Sequence, residues 1–381
     1  MKVGIIGGGI GGLTTALALQ KKGIEFTLFE SAPELRAAGA GIWMSPNSIR
    51  VMNHLGLADD FLRLGREMDF VATEDSGGGL ISRIPMDKIR QKHGYAIHSV
   101  RRQTLHNLLA GKIEPGRILT GKNALSVQQN SGRVTVSFAD GSSSEFDILI
   151  GADGIRSAVR EAVNPGVPLR YSGQTCWYGL SDAKLPANRK KQTTEMWMGK
   201  IRFGFTEVDG GQVYFFAVEK SPAGVSYSGN RVKYLQELYK DAPAIVGTIL
   251  AGAKSENIIK NDLNDIKPFI PLAYGRIVLI GDAGHATTPN LGQGAAQAME
   301  DGVLLAELLS RHINEPEHAL KQFEKMRKNR ITHIVKTSWQ QGKLSHGEGF
   351  WGKTVVQGIM KRIPEAVMMK LMDRVLRPVF P

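Results

Sequence analysis

Three glycine- and carboxylate-bearing turns hold the residues of this 381-residue chain best suited to chemistry. The first is Gly7-Gly8-Gly9-Ile10-Gly11-Gly12, in which Gly7, Gly9 and Gly12 fit G-x-G-x-x-G. The first of these permits a tight turn, the second lets a pyrophosphate approach the backbone, and the third lets a helix pack closely on a strand. Glu30 follows, placed where a carboxylate accepts hydrogen bonds from an adenosine ribose. The second turn is Gly151-Ala152-Asp153-Gly154, with Arg156 and Arg160 beyond it. The third is Gly281-Asp282, followed by Pro289 and by Gly292-Gln293-Gly294-Ala295. A carboxylate at a strand end, beside a helix start with unpaired N–H groups, suits a cofactor whose ring becomes negative on reduction. Reduced flavin is one.

Each turn needs a strand before it and a helix after it. Lys2–Ile6 reads as a strand, the helix after it runs to Lys21-Lys22-Gly23, and a second strand covers Ile24–Phe29. Ile277–Ile280 reads as a buried parallel strand ahead of Asp282, and the helix from Gly292 carries Ala295, Met299, Val303, Leu304 and Leu308 along one face. Val134–Phe138, the turn at Asp140-Gly141 and Phe146–Ile150 read as a hairpin that delivers Asp153. Residues 70–100 read as short strands separated by Gly77-Gly78-Gly79. A helix opens at Arg101-Arg102, which is either a solvated pair or a contact to a phosphate or flavin. Between 168 and 267 the period changes to that of an antiparallel sheet, with Asp209-Gly210-Gly211 as a turn. Arg202 and Tyr214 are its polar members placed toward a pocket; the alternative is an edge arginine and a snorkelling tyrosine.

Hydrophobic residues make up 42% of the chain and charged residues 22%, ordinary for a globular protein. The single cysteine, Cys176, excludes an internal disulfide and reads as a small buried hydrophobe. The uncharged stretch 3–20 is too glycine-rich for a signal peptide, and no other stretch is apolar enough to span a bilayer, so a cytoplasmic location is expected. The net charge is +12, and residues 311–381 hold fourteen Lys/Arg against six Asp/Glu. No nucleic-acid motif accompanies this excess, and no metal site is expected. Residues 350–381 alternate Trp351, Val355, Ile359, Val367, Met368 and Leu371 with Lys353, Lys361, Arg362, Lys370 and Arg374. Such a basic amphipathic stretch packs across domains or makes a peripheral contact with a membrane.

Taken in order, the three turns resemble the single-component FAD-dependent aromatic hydroxylases, flavoprotein monooxygenases of the para-hydroxybenzoate hydroxylase-like fold. That resemblance implies an α/β protein with a Rossmann-like FAD-binding domain, an inserted antiparallel β-sheet substrate domain and a C-terminal helical region. It assigns 1–69, 101–167 and 268–310 to the FAD domain, 70–100 and 168–267 to the substrate domain, and 311–381 to the helical region bridging them. It implies that Gly7, Gly9 and Gly12 hold the FAD pyrophosphate, Glu30 the ribose, Asp282 the ribityl chain, and Pro289, Gly292, Gly294 and Ala295 the isoalloxazine edge. Arg102 reaches the FAD, and Asp153 belongs to a segment serving FAD and a transient NADH or NADPH. O2 is the oxidant, and the oxygen reaches an aromatic or heteroaromatic substrate through a flavin C4a-hydroperoxide, with Arg202, Tyr214 and Pro289 positioning ring and flavin. Tyr171–Trp177 and the 286–296 segment ATTPNLGQGAA resemble alkyl-4-quinolone hydroxylases. Gly199-Lys200-x-Arg202 resembles urate hydroxylases, but Asn290 stands where those enzymes carry an aspartate, which favours an apolar heteroaromatic ring. His285 reads as structural. The alternatives are a membrane-surface epoxidase of a polyprenyl or carotenoid-type substrate and a non-enzymatic flavin-binding sensor.

Overall fold

A computed structural model describes residues 1–381 except 37–38, 131, 268–269, 346–357 and 378–381. Strands and helices are numbered along the chain. The apolar run β1 (Lys2–Ile6) is the middle of a sheet in which it pairs in parallel with β2 (Glu25–Phe29) on one side and β12 (Ile148–Gly151) on the other. Beyond them lie β8 (Ile118–Leu119) at one edge, and β19 (Ile277–Leu279) with β18 (Ala273–Tyr274) at the other. Register is the important feature. Ile6 is level with Phe29 and with Gly151, and Gly151 is level with Leu279. Glu30 and all three glycine-bearing turns therefore leave the sheet along one carboxyl edge, where open α/β sheets bind ligands.

One face of this sheet is covered by helices. α1 (Ile10–Lys21) and α10 (Gly294–Arg311) cross on it, and α2 (Pro46–His54), α3 (Ala58–Leu64) and α5 (Arg102–Ala110) pack around them. α10 is buried on nearly all sides rather than along one stripe. The other face is covered by a three-stranded sheet of β9 (Ala124–Asn130), β10 (Arg133–Phe138) and β11 (Ser143–Phe146), with Phe146 lying over Gly4. The expected 134–150 hairpin is thus corrected. Its return strand ends at Phe146; the chain bends at Asp147, whose carboxylate accepts from the Lys2 N–H at 2.6 Å, and 148–151 enters the parallel sheet. Two adjacent apolar segments hid the bend between them.

The larger sheet has the order β17 (Ile259–Ile266), β13 (Leu169–Ser181), β16 (Val213–Lys220), β15 (Ile201–Glu207), β14 (Gln192–Trp197), β5 (Phe70–Asp75), β6 (Leu80–Pro85). It is antiparallel except that β14 runs parallel to β5. Its outer face packs Phe203, Phe205 and Phe215 under α7 (Arg231–Leu238) and α8 (Ala244–Ala251), two helices the sequence reading did not anticipate. Residues 70–100 also differ from expectation. After β6 comes a helix, α4 (Met86–His93), and β7 (His98–Arg101) joins β3 (Gly41–Met44) and β4 (Arg66–Glu67) in a separate small sheet. Arg101 donates to Asp209 there and so is not a groove residue.

After α6 (Ala158–Val163) and the short α9 (Asp282–His285), the long helix α11 (Pro316–Ser345) bridges the two large sheets. At one end Glu324 accepts the Leu272 and Ala273 amides; at the other the Gly342 carbonyl accepts from Gln174. α12 (Glu365–Leu376) follows, with Pro364 at its cap. Trp351, Lys353 and Val355 lie outside the described residues. No helix among the described residues is long and apolar enough to cross a membrane.

A buried ionic cluster ties α10 to α11. Arg327, fully buried, donates to Asp301 at 2.6 Å and to Glu300 at 2.7 Å, while His285 Nε2 lies 2.6 Å from Asp301. Burial would raise the Asp301 carboxyl, but Arg327, His285 and the Gly281 amide outweigh it and hold it at about 2. Because this folded value lies below the ordinary 3.8, the stability it contributes is whole above about pH 4 and lost as pH falls toward 2. Replacing one member leaves the others as uncompensated buried charge. Arg327→Met is expected to destabilise the chain by about 3–5 kcal/mol, read as a lowered urea midpoint; an unchanged midpoint would contradict this account.

Candidate active site

The groove begins where β1 turns into α1. Gly7 has φ +109°, and a Cβ there would stand 2.4 Å from the Ala152 carbonyl oxygen; a Cβ on Gly12 would stand 1.9 Å from the Gly7 oxygen. No other residue fits either position. At Gly9 the reverse holds, since a Cβ would meet nothing within 4 Å. Gly9 caps α1 without a side-chain partner, and the first turn carries no acidic residue, so its amides face open space. Glu30 accepts from the Gly8 and Ala32 amides, each at 2.8 Å, which fastens the turn to the end of β2.

A second uncapped helix start lies opposite. Gln293 precedes α10 without capping it, because its side chain bonds Asn47, Ser45 and Gln297 instead. Pro289, Gly292, Gly294 and Ala295 line the same continuous cavity of about 1520 Å³ as Gly9. Asp282 opens into it from the end of β19. Enclosure by protein pushes its carboxyl above the usual range, against the pull of His285 and Arg102. Arg102, at the start of α5, also lines the cavity, beside Gly39. Two helix N-termini and a carboxylate thus face one space, which is what an anionic dinucleotide with a hydroxylated linker needs.

Asp153 belongs to the second turn but does not itself line this cavity. Its carboxylate accepts from Ser157 Oγ at 2.5 Å and from the Val159 amide at 3.1 Å, capping α6, and the cavity wall is formed by its neighbours Ala152, Gly154 and Arg156. A helix start three residues beyond an Asp-Gly turn could have signalled this. Arg160 donates to the Ala283 carbonyl at 2.9 Å and so ties this turn to the Asp282 segment.

The cavity continues beneath the inner face of the large sheet. Strand alternation turns Tyr214, Phe216 and Val218 of β16 inward and sends Val213, Phe215 and Ala217 to the outer core. Arg202 is 3% exposed and donates to Glu195 at 2.7 Å and to Asn290 at 2.9 Å, with Gln174 at 3.4 Å. Asn290 in turn donates to Thr288 Oγ1 and the Ser338 carbonyl, both at 3.0 Å, so the loop after Asp282, α11 and the sheet meet at one guanidinium. Tyr214 stands against Gly41, where a Cβ would come within 2.3 Å of its ring, and burial raises its hydroxyl well above the ordinary value. Burial likewise pushes the Cys176 thiol up to about 12. Sequence reasoning missed Glu195 and Trp43. Period-two alternation from Trp197 could have found the first; nothing local marks the second.

Comparison with known proteins agrees with this geometry. The family described as FAD binding domain matches residues 1–338. The aurachin C monooxygenase/isomerase of Stigmatella aurantiaca is 34% identical, over 94% of this chain and 93% of that protein. The 2-heptyl-3-hydroxy-4(1H)-quinolone synthase of Pseudomonas aeruginosa is 31% identical, over 98% and 97%. The crystal structure of Klebsiella pneumoniae HpxO complexed with FAD and uric acid superposes with a TM-score of 0.92 at 28% identity, covering 99% of this chain and 96% of that one. An open groove between two uncapped helix starts, a sheet roofing its far end and relatives that match over almost their whole length lead to one conclusion: this chain is an enzyme of the FAD-dependent family of aromatic and heteroaromatic hydroxylases.

Proposed function

We propose that this chain hydroxylates an aromatic or heteroaromatic small molecule, drawing electrons from NADH or NADPH and the oxygen atom from O2. What supports this reading above all is the single cavity that runs from Gly9 past Asp282 and the start of α10 to Arg202 and Tyr214. FAD, once bound, supplies the electron store and the centre at which oxygen is activated. Gly7, Gly9 and Gly12 with the free amides of α1 would hold its pyrophosphate, Glu30 its ribose, and Asp282 the ribityl hydroxyls. Arg102 would approach it from α5. The backbone from Pro289 to Ala295 would border its ring, and the amides at the start of α10 would stabilise negative charge there. Asp153 acts at one remove, by keeping the Gly154–Arg156 turn in shape.

Arg202 and Tyr214 would orient the substrate ring. Glu195 neutralises Arg202, and Asn290 is a neutral amide, so the ring position gains no net charge from these three groups. This favours a neutral ring over an anionic one.

Purified protein should be yellow and should couple NADH or NADPH oxidation to oxygen insertion into a ring substrate; oxidation without any hydroxylated product would contradict the proposal. Gly9 has φ −74°, a conformation open to any residue, so Gly9→Val should fold with an unchanged circular dichroism spectrum yet purify without FAD. Arg202→Met should keep its FAD and lose about ten- to a hundredfold in kcat/KM, the worth of a charged hydrogen bond. Retention of full activity would remove Arg202 from the site.

A second reading, epoxidation of a polyprenyl-type substrate at a membrane surface, is favoured by one observation. α12 presents Val367 and Leu371, 48% and 54% exposed, beside the exposed Lys370 and Arg374. It requires an epoxide product and co-sedimentation with anionic liposomes that weakens with salt; a phenolic product would decide against it.

A further inference from the structure

Among the described residues that line the cavity, three buried polar atoms have no hydrogen-bond partner: Arg202 Nε, Trp197 Nε1 and Trp43 Nε1. All three are donors. Unpartnered buried acceptors such as Glu74 Oε2 and Gln322 Oε1 belong to residues outside the cavity wall. A buried N–H without an acceptor bears the full cost of its lost hydration, so three around one chamber call for a common cause.

Two of them are neighbours. Trp197 on β14 lies directly opposite Arg202 on β15, and both side chains line the cavity. Residues paired in this way hold their Cβ atoms about 5 Å apart. Trp197 is 5% exposed, nearly as enclosed as Arg202. The terminal nitrogens of the guanidinium are taken by Glu195, Gln174 and Asn290, which leaves Nε as its one unpaired nitrogen.

Trp43 comes from a different element. Period-two alternation puts Gly41 and Trp43 on one face of β3, where Gly41 meets Tyr214 and Trp43 meets Phe216. The Trp43 and Phe216 rings stand edge to face with centroids 5.7 Å apart, and a ring face is a weak partner for an N–H. Trp43 and Met372 of α12 pack on the same apolar cluster, and an unbranched thioether chain can turn aside to admit a ligand atom. A plain hydrocarbon would cover the apolar part of this wall but leave both indoles unbonded.

The acceptor that suits these donors is neutral. Glu195 already balances Arg202, so an added anion would be buried without a counter-charge of its own. We propose that the substrate is an aromatic or heteroaromatic ring with an oxygenated arm, a ketone, ester or amide. Its carbonyl oxygens accept from Trp43 Nε1 and from Trp197 Nε1 beside Arg202 Nε. Trp43 and Trp197 are then the residues that set specificity for the arm. This rests on the hydroxylase reading and narrows it to a substrate class.

The test is a set of matched ligands on the FAD-loaded enzyme, titrated against the flavin absorbance spectrum. One family is 4-n-pentylphenol with its mono-oxo counterparts, the carbonyl moved through each internal carbon of the arm in turn. The other is 5-n-pentyl-2-pyridone with the same counterparts. In at least one family a ketone should bind about tenfold more tightly than its parent hydrocarbon. Trp43→Phe or Trp197→Phe, each of which deletes an N–H, should bring that ratio close to unity with the FAD content unchanged. Ketones that bind no better than the hydrocarbon in both families, failure of every member to bind, or a ratio that survives in both folded variants would each overturn the proposal. So would a member ending in a carboxylate that binds more tightly than every ketone. The wild-type ratios decide the matter even if both variants fail to fold. Hydroxylation of the hydrocarbon members without any preference for ketones removes this inference and spares the hydroxylase reading. Preference for a ketone without hydroxylation of any member does the opposite.

Discussion

The crossing of α1 and α10 is the contact on which the rest depends. A Cβ on Gly11 would stand 3.0 Å from the Ala298 Cβ, and one on Gly302 would stand 2.5 Å from Thr15 Oγ1. Two helices can approach this closely only where side chains are absent from the crossing point. The approach brings both helix starts to the rim of a single groove, and each start is left without a side-chain cap. Unsatisfied amides at two converging helix ends are costly when nothing is bound and favourable when an anion is. The same geometry gives the groove affinity for a cofactor bearing phosphates and a reducible ring.

Behind that crossing sits a polar network that fixes α10 in rotation as well as position. Asn47 on α2 donates to Gln293 and Glu300, Gln297 donates to Gln293, and Arg327 receives its counter-charges from Glu300 and Asp301. Arg330 extends the network to the end of α12. A helix packed only by Leu and Val faces could rotate or slide by small amounts at little cost. A helix whose buried charges are bonded to fixed partners on neighbouring elements cannot, because any displacement lengthens those bonds and leaves buried carboxylate poorly paired. The start of α10 and the cavity wall formed by α12 are thereby referred to one rigid set of bonds.

The large sheet divides its labour by face. Outward residues of β15 and β16 build an aromatic core, with Phe203 and Phe215 stacked 5.7 Å apart, while inward residues carry the polar and aromatic groups of the chamber. Gly204 makes room for Phe216, whose ring would lie 2.1 Å from a Cβ there. Asn290 then locks this sheet to the groove through Arg202. Chamber and groove are one cavity because of a few directional bonds between elements far apart in sequence.

The three turns, the strands that feed them and the helices that leave them were legible in the sequence, because a glycine at a tight turn or a carboxylate at a strand end answers to its immediate neighbours. Gly7, Gly12 and Gly292 are required by backbone geometry within a few residues or by one adjoining strand. Other features depended on partners distant in the chain. Phe146 and Ile148 look alike, yet one ends a hairpin and the other enters the parallel sheet, a choice made by pairing with Val134 in the one case and Val3 in the other rather than by composition. Asp153 and Asp282 both follow a glycine at a strand end, but only one faces the groove, because Ser157 and the α6 amides claim the other. Glu195, Trp43 and Met372 carry no local mark of their place in the cavity wall. Sequence determines what a residue can do chemically and which way its own turn or strand runs; strand register and helix crossing decide what it meets, since those contacts are settled by the packing of the whole core.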